Sequence, residues 1–397
     1  MGEIHATFGD ALTLLGDVTS LVTALDGADG RPEWWPAGAT WKRTFGRFEP
    51  DRPAFATVSL ERIDGPQAIV LVKVYAEAGP PAGLGVWPVH VAGVGTAHVH
   101  RFPDDPSLPT LAQVVDAPGV HIVRYRPEKR CTLRVDGAEG PQWVKVFTDD
   151  RGAAIHRATV ALWGGAQRGE LDVAVAPPVR FDADTRSVWQ GHVEGAMITE
   201  RLFSDDGPAL AHRLGAALGS IPALTATPEL RFDDVVQLDR SRRYAEAIRR
   251  LVPELSTDLD LVVQGLERLH ADANGRVRPI HGAPHPEQWL DDDGALGLID
   301  FDRFSLGDPE LDITTFQAEV DFERLPGALR HEINAAFQDG YEQRAGALDT
   351  RLLTAYRTHK RLAKVLRSAR ALRPDGDVRA ARHLERVRAV LAGEPDA

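Results

Sequence analysis

The sequence predicts an α+β chain in which a small strand-rich lobe precedes a larger helical one. Three observations lead there. Short β-type runs crowd residues 120 to 195, helical periodicity takes over from Pro208 onward, and two brief strands around residue 290 interrupt the helices. Strands first and helices after is the order of segregated α+β architectures. A chain of 397 residues also exceeds one ordinary core, so two or three packed units are expected.

The elements follow in order. In 11–25 the residues Leu12, Leu15, Val18, Leu21, Val22 and Leu25 fall on one face of a helix. Strands are expected at 55–63, 68–75 and 89–100, the first two joined by the turn Asp64-Gly65-Pro66. Residues 102–109 (FPDDPSLP) read as a proline-punctuated linker, and Trp34, Trp35 and Trp41 as packing beneath a loop. Strands at 120–125, 131–135 and 142–147, a helix at 153–163 and a strand at 187–193 make the second block. A helix at 254–270 buries Leu255, Leu259, Val262, Val263, Leu266 and Leu269, with Ser256 or Thr257 as its cap. Strands 279–281 and 296–301 follow, then helices from Thr315 to Leu391 with a break at 373–377. The divisions expected are 1–110 as an N-terminal α/β cap, 111–195 as the small lobe and 196–397 as the helical lobe.

Composition narrows the function. The chain is 43% hydrophobic and 26% charged, with no apolar run of the ~20 residues that a membrane span needs. A net charge of −12 argues against nucleic acid or anionic lipid as partner. Cys131, the single cysteine, excludes an internal disulfide and a cysteine zinc site. The N-terminus has no basic-then-apolar signal, and Ala6 sits where myristoylation requires Ser or Thr, so the reading is cytoplasmic. From Arg351 to Ala397 twelve Lys/Arg face five Asp/Glu, which reads as a solvated basic helix face or as a docking surface for an acidic peptide.

The chemistry concentrates in residues 280–312, IHGAPHPEQWLDDDGALGLIDFDRFSLGDPELD. Here His281-Gly282-Ala283-Pro284-His285-Pro286-Glu287-Gln288, Ile299-Asp300-Phe301-Asp302 and Gly307-Asp308-Pro309-Glu310-Leu311-Asp312 follow one another. Upstream stand Trp143-Val144-Lys145-Val146-Phe147 and the hairpin Arg124 to Arg134. With these motifs the chain resembles the aminoglycoside/choline phosphotransferase family, maltokinase-like members included, over residues 120–391. The resemblance implies a bilobal protein-kinase-like fold, ATP or GTP as co-substrate and Mg²⁺ as cofactor.

Phosphoryl transfer needs positioning and charge neutralisation, and Mg²⁺ takes one or two carboxylates with phosphate oxygens and water. Asp300 is the expected metal ligand. Gln288 is either a second ligand or a structural amide, and Asp302 either binds a further ion or its own loop. By the resemblance, Lys145 holds the α- and β-phosphates, with Lys129 and Arg130 within reach of phosphate. The segment 187–193, with Gln190 and Val193, offers backbone groups to a base edge and Val188 or Val193 apolar contact. His281, Asp308 and Asp312 orient the loop, and 291–294 (DDDG) is a solvated turn rather than a metal site.

The chain departs from the family where it matters most. Ala283 occupies the position of the family's catalytic Asp, leaving His285, Glu287, Asp302 or a substrate group to replace the base. No Glu follows Lys145 before Glu170, with His156 near the expected place, and Pro127-Glu128-Lys129-Arg130 replaces a glycine-rich turn. General-base help is worth ~10²–10⁴-fold, a minority of a typical barrier reduction, so activity survives its loss. The expected function is transfer of a γ-phosphate to a hydroxyl of a small molecule or of a peptide Ser/Thr, as in natural-product or ribosomal-peptide tailoring. The alternative is a pseudokinase that binds a peptide or a partner protein.

Overall fold

The computed structural model describes residues 3–77, 79–83, 85–138, 140–273 and 275–393. Three short helices open the chain: α1 (Glu3–Thr7), α2 (Gly9–Gly16) and α3 (Val18–Asp26). The single helix expected over 11–25 is broken at Asp17. Its carboxylate accepts the backbone N–H groups of Thr19 and Ser20 at 3.3 and 3.1 Å and starts a new helix. An antiparallel sheet follows, built of β1 (Trp41–Phe48), β2 (Ala54–Arg62), β3 (Ile69–Tyr75), β4 (Val86–Val91) and β5 (Gly95–Arg101), in the order β1-β2-β3-β5-β4. The expected strand 89–100 is therefore two strands, turned at Val91–Gly95. β1 escaped the sequence reading because its exposure pattern does not alternate. Trp35 stacks on Trp41 at 5.0 Å, and both are buried.

After α4 (Leu111–Val115) comes a second five-stranded sheet: β6 (Val120–Arg126), β7 (Arg130–Gly137), β8 (Gly140–Phe147), then helix α5 (Arg151–Gln167), β9 (Pro178–Asp182) and β10 (Ser187–Gly191). Its order is β6-β7-β8-β10-β9, which places Lys145 of β8 between Thr132 of β7 and Val188 of β10. Phe147, Ile155 and Val188 pack α5 onto this sheet.

The rest is helical with small sheets inserted: β11 (Ala196–Met197), α6 (Thr199–Leu202), α7 (Gly207–Leu218), β12 (Leu230–Phe232), α8 (Asp234–Leu251), α9 (Ser256–Ala271), β13 (Arg278–Ile280), β14 (Trp289–Asp292), β15 (Ala295–Leu298), β16 (Ser305–Gly307), α10 (Glu310–Val320), α11 (Gly327–Ala345), α12 (Thr350–Ala369) and α13 (Gly376–Leu391). Two three-stranded sheets, β11-β14-β15 and β12-β16-β13, carry the loops of the candidate site. Neither Ser256 nor Thr257 caps α9. The cap residue is Leu255, and the Ser256 hydroxyl donates back to the Pro253 carbonyl at 2.6 Å.

The hydrophobic core does not follow the division at residue 110. One cluster joins α2, α3 and the first sheet to α8, α9, α12 and α13, from Leu12 and Val72 to Leu362 and Leu384. A second fills the helical lobe around Trp289, Phe316 and Phe337, and a third joins Ile69 and Leu108 to the second sheet. The strand-rich lobe and helical lobe are those the sequence predicts.

Candidate active site

The loop after β13 is held from below by α10. Asp312, in the first turn of that helix, accepts the backbone N–H of His281 on one oxygen and that of Gly282 on the other, each at 2.7 Å. Burial pushes the Asp312 carboxyl up to about 7, against the pull of these two donors. Gly282 lies at φ 87°, and a Cβ there would stand 2.3 Å from the Arg303 carbonyl, so only glycine fits. The His281 ring packs 4.3 Å from Phe301 and donates from Nε2 to the Ile299 carbonyl at 3.1 Å, leaving Nδ1 to accept from Ala283 N–H at 3.3 Å. Burial pushes His281 down to about 4, which keeps it in this neutral form. Asp308 is buried and accepts the Tyr356 hydroxyl at 2.5 Å.

The charged centre lies where this loop meets β8. Asp300, just beyond β15, takes the left-handed backbone angle φ 67°, costly for a residue other than glycine. One oxygen accepts from Lys145 Nζ and the other from Gln288 Nε2 at 3.1 Å. Lys145 also donates to Asp302 at 2.5 Å, and Arg130 donates to the second Asp302 oxygen at 2.6 Å while standing 3.8 Å from Asp300. Burial alone would raise Asp300, but the Lys145 and Arg130 charges outweigh it and hold the carboxyl below its usual range. Asp302 is pushed up by burial, with the Asp300 charge adding to the effect. For Lys145 burial pulls down, and the two carboxylates more than compensate.

The model described as "Phosphotransferase enzyme family" matches residues 168–347. That stretch contains the loop, Asp300 and α10. Over these residues the chain is similar to that family. Lys145 and the strands β6, β7 and β8 lie outside the match, while β9 and β10 of the same sheet lie within it. The amicoumacin kinase hAmiN, in complex with AMP-PNP, Ca²⁺ and Ami, superposes with a TM-score of 0.53 at 15% identity, covering 71% of this chain and 90% of that one. The gentamicin complex of APH(2")-IIa gives 0.51 at 12%, covering 71% and 95%. The GDP complex of wild-type aminoglycoside 2'-phosphotransferase-IIIa gives 0.50 at 16%, covering 72% and 99%. At these identities the likeness shows the fold, which is the aminoglycoside-phosphotransferase form of the kinase fold. No curated protein matches the chain by sequence.

Ala283, where the sequence resemblance implies a carboxylate, is 7% exposed. Close by is a pair the sequence reading half missed. His285 Nδ1 stands 3.4 Å from Glu319 Oε1, and the hydrogen bond from His285 lowers the Glu319 carboxyl below its ordinary value. Glu319 comes from the second turn of α10 beyond Asp312, and no local motif announces it. Arg126 and Arg303 were also missed, and their charges bear on the same centre: burial first, then neighbouring arginines, pulls Arg126 down to about 10, while Asp300 opposes.

Two expected contacts lie elsewhere. Lys129 neighbours Arg130 in the hairpin but, among the described residues, forms no ion pair with Asp300 or Asp302. Arg47, Arg126, Glu49 and Arg370 are the charges around it. The buried Gln190 side chain donates to Thr159 Oγ1 of α5 at 2.7 Å, so any contact to a base edge from this segment comes from its backbone. Val193 is buried, and a Cβ on Gly297 would meet its Cγ1 at 2.7 Å. Val188 is buried against α5. His156 of α5 carries a buried Nδ1 with no partner among the described residues, and Lys145 makes its ion pairs with Asp300 and Asp302.

The carboxylates fit a shared hard cation. Asp300 and Asp302 converge on a single positive point, now the Lys145 ammonium. Among the described residues no three His, Cys, Asp or Glu side chains are grouped to hold a metal alone. Two carboxylates completed by phosphate oxygens and water is the set that Mg²⁺ accepts.

Proposed function

We propose that the chain transfers the γ-phosphate of ATP or GTP to the hydroxyl of a small molecule. The observation that carries this reading is the meeting of Lys145, Arg130, Asp300, Asp302 and Gln288 at one point between the lobes. Asp300 and Asp302 would hold Mg²⁺, with Gln288 contributing its amide oxygen after turning from His285 N–H, where it now bonds at 2.8 Å. When bound, such an ion would supply positive charge against the phosphate oxygens. Lys145, released from the carboxylates, and Arg130 would neutralise α-, β- and γ-phosphate charge. His281, Asp308 and Asp312 keep the loop in register by the hydrogen bonds described above. Residues 111–195 act as the nucleotide lobe, 196–397 as the acceptor lobe and 1–110 as an accessory unit. A cytoplasmic site, where nucleoside triphosphates are abundant, goes with this reading.

His285 takes the base's role in place of Ala283. With Nδ1–H toward Glu319, its Nε2 is the free acceptor for the hydroxyl proton. The acceptor's O–H bond then breaks as its oxygen bonds phosphorus, and the bond to the nucleoside diphosphate breaks with its electron pair leaving on that product. The pseudokinase reading, with a peptide or partner protein bound instead, is favoured by one feature: Ala283 cannot accept a proton.

The deciding experiment is γ-labelled ATP or GTP with Mg²⁺ and a panel of hydroxylated acceptors. Parent protein is expected to transfer label, Asp300→Ala to lose Mg²⁺-dependent nucleotide binding, and His285→Ala to lower turnover by ~10²–10⁴-fold. Ala283→Asp should raise turnover only if His285 is a poor base, and Pro284 restrains the new side chain to extended backbone angles. Absence of transfer by both parent and Ala283→Asp, with nucleotide still bound, would leave the pseudokinase reading standing.

A further inference from the structure

The charge of the C-terminal helices is not spread evenly over solvent. α10, α11, α12 and α13 enclose a cleft of about 590 Å³ lined by Arg330, Arg357, Arg361, Lys364 and Arg386, with Asp321 as its one carboxylate. Asp321 is already engaged, accepting from Asn334 at 2.9 Å and standing 3.6 Å from Arg361. Among the described residues, none of Arg330, Arg357, Lys364 and Arg386 forms an ion pair with a carboxylate. Arginines on neighbouring outer faces do: Arg388 meets Asp258 at 3.0 Å and Arg249 meets Asp260 at 2.6 Å. In the cleft Arg357 instead contacts the Gln317 amide at 3.3 Å, and Lys364 sits 3.4 Å over the Phe322 ring. His383, at the same wall, is pushed down to about 4 by burial and by Lys364 and Arg386, so it adds no charge at neutral pH.

Like charges crowded into a concave, partly desolvated space repel one another, and an anion is what relieves that repulsion. One link leads from the cleft to the proposed reaction centre: Lys364 of its wall, and Lys360 one helical turn away, lie in the field of Glu319, which holds His285. Lys360, on α12 one turn before Lys364, makes no ion pair among the described residues.

We propose that this cleft binds the acceptor, and that the acceptor is a small polyanion: a hydroxylated molecule bearing two or more carboxylate or phosphate groups. The proposal rests on the phosphotransferase reading and gives its substrate class. The volume is that of small-ligand sites, typically about 300–1,000 Å³, and four helices wall it, which favours a compact molecule over an extended peptide. Bidentate Arg357 and Arg386 would grip oxyanions while Lys360 and Lys364 lead the hydroxyl end toward His285. A polycationic acceptor would be repelled by the same residues.

The test is calorimetric titration of the full chain at fixed ionic strength with citrate, inorganic phosphate, spermine and a poly-Glu peptide, nucleotide binding being measured in parallel. Citrate is expected to bind more tightly than phosphate, and spermine not at all. Arg386→Glu, on the rim, and Lys364→Gln should each weaken citrate at least tenfold. The rim variant keeps the measurement meaningful if the inner one unfolds. Failure of citrate to bind while nucleotide still binds would overturn the acceptor class and leave the kinase reading intact. Citrate affinity untouched by both variants, or preference for spermine or the peptide over citrate, would also overturn it. Loss of nucleotide binding in the parent would instead overturn the kinase reading beneath it.

Discussion

At Lys360 the sequence shows only one of two lysines on an arginine-rich helix. In the fold it is partly buried, and burial pushes it down to about 7, with Arg303 and Arg240 adding to the effect and Glu319 and Asp312 opposing. Between that value and its ordinary 10.5 the unfolded chain carries a proton the folded chain resists. Its contribution to stability is therefore full above the ordinary value and is lost as pH falls toward 7. Lys360→Met should remove that slope and stabilise the protein at neutral pH by up to about 4 kcal/mol. Denaturant midpoints of parent and variant from pH 7 to 10 check this; parallel curves would show a solvated lysine. The same contrast runs through the site. Asp300, Lys145 and His281 were legible because their motifs are contiguous. Glu319 was not, since it reaches His285 from another element. Lys129 and Arg130 could not be separated by type, as only the folded hairpin shows which of them pairs with Asp302.

The hairpin joining β6 and β7 takes its shape from outside its own lobe. Its tip residue Glu128 lies at φ 59°, where a glycine would be relaxed. The carboxylate meets Lys73 of β3 at 2.6 Å and Arg47 of β1 at 3.2 Å, and its backbone N–H donates to Asp105 at 2.8 Å. The first sheet thus clamps the turn that carries Arg130, compensating for the missing glycines. Glu128→Ala should free that turn, cost about 1–3 kcal/mol as a half-buried ion pair is broken, and weaken nucleotide binding more than acceptor binding. Hydrogen exchange at residues 126–132 should accelerate; unchanged exchange would show the clamp to be dispensable. Runs rich in β-branched and apolar residues made β2, β3, β6, β7 and β8 readable in advance. β9 was lost because Pro178 and a polar run obscure it, and the merging of β4 with β5 hid a turn at Gly93.

Over the whole molecule, the sequence suggests a separable N-terminal unit because residues 1–110 lie outside the stretch that resembles the phosphotransferase family, and in the structure the first sheet is complete by Arg101. What sequence cannot reveal is which distant helices close that sheet's core. The first sheet and its helices share one apolar cluster with α8, α9, α12 and α13. The joint is close. His5 Nε2 donates to the Ala369 carbonyl at 3.0 Å, the Phe48 N–H to Arg370 at 2.8 Å, and a Cβ on Gly16 would stand 2.5 Å from the Leu372 carbonyl. Glu49 adds an ion pair to Arg370 at 3.4 Å. Removing residues 1–110 would therefore bare buried apolar side chains on the last helices. Each large aliphatic side chain so exposed costs about 1.5–3 kcal/mol, and a handful of them equals the ~5–15 kcal/mol that holds a typical domain folded. The fragment 111–397 is expected to aggregate or to lose its sharp thermal transition, while the full chain melts in one step because a single core spans both parts. Calorimetry and light scattering on the two proteins decide the matter. A soluble fragment that melts cooperatively and binds nucleotide as the full chain does would mean the N-terminal sheet only rests on the lobe.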